Sequence, residues 1–297
     1  MSALNLEGIF PPIPTPFMDG EVAYEHLSKN VRKWAKTGIK GFVVLGSNGE
    51  FVFLSEYEKK RVLETVVGSA PDDMLIIAGT GCESTIETQK LTRACAELGA
   101  HAALVVTPHY FAEGMNPGAL IKYYTMVADD SPIPILLYNV PKFTHVHLTP
   151  AVVAELSGHP NIVGIKDSSG SLGLLGEFLT STDKDFQVLA GTASVLFGAL
   201  ALGCPGGILA LANVAPEACV RIYNLVREGR YEEARSIQLR MIPVDKAVTA
   251  TYGISGLKSA LDMVGYFGGD PRLPLLPSTE EEKANIREIL KRAELLS

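Results

Sequence analysis

The chain lacks any apolar run able to span a bilayer: its longest, such as Ile208 to Ala212, fall far short of the roughly 20 residues a membrane helix needs. Its start, MSALNLEGIF, carries neither a basic nor an apolar leader region, so the expected location is cytoplasmic. Cysteine is scarce. Cys82, Cys95, Cys204 and Cys219 lie far apart, none is spaced as a zinc or redox pair, and all four read as buried thiols. Positive charge is in deficit as well, with 26 Lys and Arg against 33 Asp and Glu and a formal net charge of −7. No Lys/Arg run exceeds what a solvated helix face carries, which argues against nucleic acid and against an anionic membrane as partners. His145 and His147 form the one close histidine pair, HVH, and no carboxylate is spaced to complete a catalytic zinc site, so no metal is expected. The partner left by these absences is a small molecule.

What the chain does have is a period. GFVVLG, MLIIAG, AALVVT, PILLYN, NIVGIK, FQVLAG and GGILAL are short apolar runs at a nearly constant interval, and GIFPPIPTPF precedes them as an irregular, proline-rich first strand. The stretches between carry helix start signals. SEYE from Ser55 and STIE from Ser84 have the form of capping boxes, and TPAV and APEA place Pro150 and Pro216 at first helical positions. Near-continuous apolar strands alternating with helices imply a parallel sheet covered on both faces. Eight such units over about 225 residues predict a closed (β/α)8 barrel, the TIM-barrel architecture. A doubly wound open sheet is the alternative, but GTGCES at Gly79 lacks the third glycine of a dinucleotide fingerprint. After Arg227 the strand runs stop and three helical stretches follow, so residues 1–227 read as the barrel and residues 228–297 as a C-terminal helical extension.

In such a barrel the reactive groups stand at the carboxyl ends of the strands. Strand two ends in GSNGEF with Ser47 and Asn48; strand four ends in VVTPHYF with Tyr110; strand five ends in LLYNVP with Tyr138; strand six, NIVGIKDSSG, ends in Lys166 with Ser168 just after it. An ammonium is almost never fully buried without a partner, so Lys166 is either a solvated rim residue or an amine meant to lose its proton. Each of the others has a structural alternative too: the tyrosines as packing aromatics, GSNGE as a turn whose Ser47 or Asn48 caps the next helix. AGTAS, which includes Gly191, and GCPGG, just before Ile208, offer backbone N–H groups to an anion without a Lys or Arg beside them, which disfavours a phosphorylated substrate. Amine chemistry fits best. A desolvated lysine attacks a ketone to form an imine, and a tyrosine within reach shuttles the protons.

These residues carry a resemblance. GSNGE, YNVP and GIKDSSG, in that order, are similar to the motifs of the dihydrodipicolinate synthase and N-acetylneuraminate lyase superfamily of class I aldolases, over about Gly8 to Gly269. The resemblance implies a pyruvate imine on Lys166, proton transfer by Tyr138 through Ser47, and Tyr110 reaching into the adjoining subunit of a homo-oligomer, a dimer or a dimer of dimers (homotetramer). It further implies a 2-keto acid substrate, no cofactor, the pyruvoyl carboxylate on the backbone N–H groups of Ser47 and Asn48, and Ser168, Gly191, Ile208 and Phe143 around the substrate. Dihydrodipicolinate synthases usually carry a carboxylate-gripping arginine where this chain has Phe143. Several stretches resemble 4-hydroxy-2-oxoglutarate aldolase instead: GFVVLGSNGEF, AGTGCEST, HPNIVGIKDSSG and VTATYGISGLK. His145 stands where the family more often has glycine and is expected to narrow the mouth. The expected reaction is cleavage of 4-hydroxy-2-oxoglutarate to pyruvate and glyoxylate. A 2-keto-3-deoxy sugar acid aldolase, a dihydrodipicolinate synthase and, in a different class, a non-catalytic keto-acid-binding barrel are the alternatives.

Overall fold

A computed structural model describes residues 4–296, so part of the N-terminal stretch read above for a leader lies outside the described residues. Eight parallel strands form one sheet: β1 (Gly8–Phe10), β2 (Gly41–Val44), β3 (Leu75–Gly79), β4 (Ala102–Val106), β5 (Ile135–Asn139), β6 (Ile162–Asp167), β7 (Gln187–Ala190) and β8 (Gly206–Ile208). β1 pairs with β8, and β8 through β2 follow in sequence order. The barrel closes between β1 and β2 with a sparse ladder, in which Val43 N–H donates to Pro11 O and Ile13 N–H to Val43 O. The sparseness has a covalent cause: the first strand's prolines have no N–H to give.

Period-two alternation sorts each strand's side chains into two cores. Val43, Ile77, Leu104, Leu136 and Leu189 fill the barrel's interior, and their neighbours Phe42, Val44, Ile76, Val105 and Leu137 face the surrounding helices. The amino end of the barrel is stoppered by Leu6, held by the Gln187 side chain, which accepts from Leu6 N–H and donates to Leu4 O, both at 2.7 Å. The helix starts at Ser55, Pro150 and Pro216 form as expected, with a complete capping box at Ser55. At Ser84 the box does not form. The helix begins there, but the Ser84 side chain makes no cap hydrogen bond and Glu87 accepts from Lys90 Nζ at 2.9 Å; one residue on, the buried Thr88 Oγ1 accepts from Cys82 N–H and pairs with Tyr123 Oη, both at 2.9 Å. Cys95, Cys204 and Cys219 are buried and Cys82 half-buried, and burial pushes the Cys95 and Cys204 thiols up to about 12.

Past Arg227 come helices Tyr231–Lys246, Gly253–Met263 and Glu280–Arg292, with a wide π-type turn at Ala247–Thr251 between the first two. Among the described residues no helix is long and apolar enough to cross a membrane. The extension grips the barrel's strand-two loop. Arg272 donates to both Glu58 oxygens, at 2.7 and 3.0 Å, and to the carbonyls of Gly20 and Phe53. Those hydrogen bonds, against the opposing pull of partial burial, hold the Glu58 carboxyl at about 2, below its ordinary 4.5. A depressed carboxyl contributes stability that is complete above its unfolded value and is lost as pH falls through its folded value. Between pH 4.5 and 2 the melting temperature should therefore fall more steeply in the parent than in Glu58→Gln, a comparison that scanning calorimetry makes directly. Parallel curves would mean that the pair contributes nothing to acid stability.

Candidate active site

Lys166 is where it is because of phase. On β6 it shares the inward face with Gly164, while Ile165 and Asp167 face out. Its register partner across the ladder is Tyr138, in phase with Leu136 on β5. Gly164 is required beneath it, since a Cβ there would stand 2.4 Å from Gln187 O. Lys166 is 4% exposed and Tyr138 5% exposed, so neither is a rim residue. The ammonium lies 4.1 Å from the centroid of the Tyr138 ring, and Tyr138 Oη is 3.4 Å from Ser47 Oγ. Burial alone would raise a phenol's pKa. At Tyr138 the Lys166 charge, with the polar contacts of Ser47, Lys166 and Ser168, outweighs burial and holds it below the ordinary value.

The outward neighbours brace this pair. Asp167 accepts from Asn139 Nδ2 at 2.6 Å and from Ser169 Oγ at 2.5 Å, and Asn139 Oδ1 in turn accepts from Leu148 N–H. Burial raises the Asp167 pKa despite these donors. Ser168 Oγ donates to Gly191 O at 3.3 Å, and Gly191 N–H donates to Asp167 O at 2.7 Å. A side chain at Gly191 is excluded, because its Cβ would sit 2.2 Å from Ser168 Oγ. The strand-two loop opens on two strained residues, Leu45 at φ 61° and Glu50 at φ 52°, which bracket the short turn Ser47–Gly49. The N–H groups of Ser47 and Asn48 begin that turn, and among the described residues neither finds an acceptor. Asn48 Nδ2 donates to Pro12 O at 3.3 Å.

Above these groups opens a cavity of about 750 Å³ that brings together Ser47, Asn48, Tyr138, Lys166, Ser168 and Gly191 with Phe143 at its mouth. Three of the residues named from sequence stand apart from it. Ile208 is fully buried in the barrel's interior packing beside Tyr138 and does not line the cavity. His145 is exposed and also outside the lining, so it does not narrow the mouth; its φ of 54° is the left-handed conformation that favours glycine there. Tyr110 is 78% exposed, stacked edge-on with the equally exposed Phe111, and does not reach the cavity of its own chain. Its loop is nevertheless fixed: Glu83 Oε2 accepts from the N–H groups of His109 and Tyr110, both at 2.9 Å. Other lining residues were not assigned to the site from sequence. Lys142 reaches the mouth and donates to Thr249 O at 2.9 Å, and the extension contributes Val248 to Ser255, most of the VTATYGISGLK stretch quoted above, which the π-type turn brings to the cavity. Among the described residues no group of three or more His, Cys, Asp or Glu side chains is placed to hold a metal ion.

Residues 5–293 match the dihydrodipicolinate synthetase family. The 4-hydroxy-tetrahydrodipicolinate synthase of Methanothrix thermoacetophila is 42% identical over 285 residues, covering 95% of each chain. Among solved structures, a chloride-inhibited dihydrodipicolinate synthase from Acinetobacter baumannii complexed with pyruvate superposes with a TM-score of 0.94 at 31% identity, covering 98% of this chain and 100% of its own. A dihydrodipicolinate synthase variant described as monomeric gives 0.93 at 29% identity, with 98% of each chain covered.

Proposed function

The chain belongs to the dihydrodipicolinate synthetase family and is a carbon–carbon lyase of the pyruvate-dependent class I aldolase type, and from that premise we propose that it cleaves 4-hydroxy-2-oxoglutarate to pyruvate and glyoxylate. The Lys166 amine adds to the C2 ketone, and Tyr138 protonates the departing hydroxyl, so that water leaves, a protonated imine remains and Tyr138 is left as its phenolate. Tyr138, as its phenolate, takes the proton of the C4 hydroxyl while the C3–C4 bond breaks; glyoxylate leaves, and the bond's electrons become the enamine of pyruvate. Protonation at C3 and hydrolysis return pyruvate and the free amine. Ser47, in contact with Tyr138, extends the proton path, and the Ser47 and Asn48 N–H groups receive the pyruvoyl carboxylate.

Phe143 carries the choice of substrate. The carboxylate of glyoxylate is bonded directly to the reacting carbonyl carbon, so it stays deep in the site beside Asn48 and Ser168. In aspartate semialdehyde the carboxylate lies two carbons further out, and there the mouth presents a half-exposed phenyl ring. Losing a charge-assisted hydrogen bond costs about 2 kcal/mol, tens of fold in rate. The second reading, condensation of pyruvate with aspartate semialdehyde, is the one suggested by the name of the 42% identical relative, and one residue gives it a physical basis. Lys142 brings an ammonium to the same mouth, 5.4 Å from the Phe143 ring. Assaying both reactions on the parent and on Lys142→Ala separates the two. Cleavage should be the faster reaction and should change less than about threefold in Lys142→Ala, since its carboxylate lies deeper in the site than the lysine at the mouth. Faster condensation that collapses in Lys142→Ala would establish the second reading in its place.

A further inference from the structure

Glu50 ends the strand-two motif and borders the cavity, and yet both its carboxylate oxygens are taken up by the C-terminal extension. Oε1 lies 2.6 Å from Lys258 Nζ, with both side chains 1% exposed, and Oε2 accepts from Arg272 N–H at 2.8 Å. Lys258 belongs to helix Gly253–Met263 of the extension. Its ammonium also donates to Asp270 O at 3.0 Å and lies 4.3 Å from the centroid of the Phe17 ring, against which the Arg272 guanidinium packs at 4.4 Å. A burial this complete leaves the pair unscreened by water, so it acts as a fixed strut. What it fixes is a turn that would not hold itself. Glu50 sits at φ 52°, disfavoured for a residue with a β-carbon, and its N–H closes the Ser47–Gly49 turn on Ser47 O at 3.1 Å. Relaxing Glu50 moves the one turn that carries Ser47 Oγ to Tyr138.

We propose that Lys258 and Glu50 are a positioning pair: the C-terminal extension, through this buried ion pair, holds the Ser47 turn in the geometry that the proton relay uses. The proposal rests on the reading of Ser47 as a member of that relay. It makes the extension a working part of the site.

The test is the rate at which cyanoborohydride traps saturating pyruvate on the enzyme, measured well below each variant's melting temperature. Glu50→Gln keeps the side chain's shape and one of its two acceptor oxygens, so it can still accept from Arg272 N–H while the charge facing Lys258 is lost. Its trapping rate should fall about tenfold in the parent background but change little in a Ser47→Ala background, because the two changes then remove the same function. A loss confined to melting temperature, or an equal loss of rate in both backgrounds, overturns the proposal. The double variant Lys258→Met/Glu50→Gln leaves no lone charge in the core, and it should regain stability while keeping the low rate. A double variant with the parent's rate also overturns it. Should Ser47→Ala itself trap pyruvate at the parent's rate, the relay reading fails and the positioning role falls with it. That result is distinct from a Ser47→Ala loss that Glu50→Gln does not reproduce, which overturns the positioning role alone.

Discussion

Lys166→Met should lose turnover by on the order of 10⁵-fold or more, the scale on which enzymes fall when the nucleophile itself is removed. The expectation is this large because nothing else in the cavity can take over. Lys142, the other lysine of the lining, is at the mouth with its ammonium on Thr249 O, whereas Lys166 lies in register with Tyr138 at the barrel's centre. Incubation of the parent with pyruvate and borohydride, followed by peptide mapping, should place a single reduced adduct on Lys166; an adduct on Lys142, or none, would refute the assignment. The same substitution should leave the fold intact. A methionine fills nearly the lysine's volume and spares the interior an ammonium that is 4% exposed, so the variant should melt no lower than the parent. An inactive variant that also unfolds early would leave the mapped adduct to decide. Activity should also survive exhaustive chelation, since an imine is its own electron sink.

That Lys166 could be singled out from sequence has a simple physical basis. An apolar strand that ends in a charged residue breaks the expected burial pattern, and the period-two rule then decides which way the charge points. Tyr138 and the barrel itself were legible for the same reason, because strand ends and alternation are local properties. The helix starts at Ser55, Pro150 and Pro216 were local too, while Ser84 shows the limit. Its STIE pattern is right, but the Ser84 side chain makes no cap hydrogen bond and Glu87 accepts from Lys90 Nζ instead, so a competing partner overrides the local signal. Phe143 marks a different limit. Comparing one position with one position registers a lost arginine, but a side chain as long as lysine one residue earlier reaches the same mouth. The Glu50–Lys258 pair was beyond any reading of this kind: GSNGE and VTATYGISGLK each end in one of the two charges, but the partners are 208 residues apart and only the fold shows that they meet.

Tyr110 poses the remaining large effect. Within one chain its ring is turned to the surface beside Phe111, yet Glu83 fixes the backbone of its loop, so the exposed aromatic pair is presented rather than loose. We propose that this tyrosine completes the relay of a neighbouring subunit's Tyr138. Tyr110→Phe should then lose roughly 10² to 10³ in turnover, the size of a proton-transfer contribution. A mixing experiment tells a shared site from a self-contained one. Tyr110→Phe and Lys166→Arg are prepared separately, shown to be nearly inactive, and allowed to exchange subunits. In a mixed dimer the subunit that keeps Lys166 receives an intact Tyr110 from its partner, so one of the two sites works. With random exchange about half the dimers are mixed, and the mixture should recover roughly a quarter of the parent's activity if the pairing is two-fold. A chain of this fold has been described as monomeric, so exchange has to be demonstrated and not assumed. Demonstrated exchange without recovery would mean that every mixed site still lacks one of the two groups, and the whole relay would then belong to a single chain, with Tyr110 swinging inward from the position it holds here.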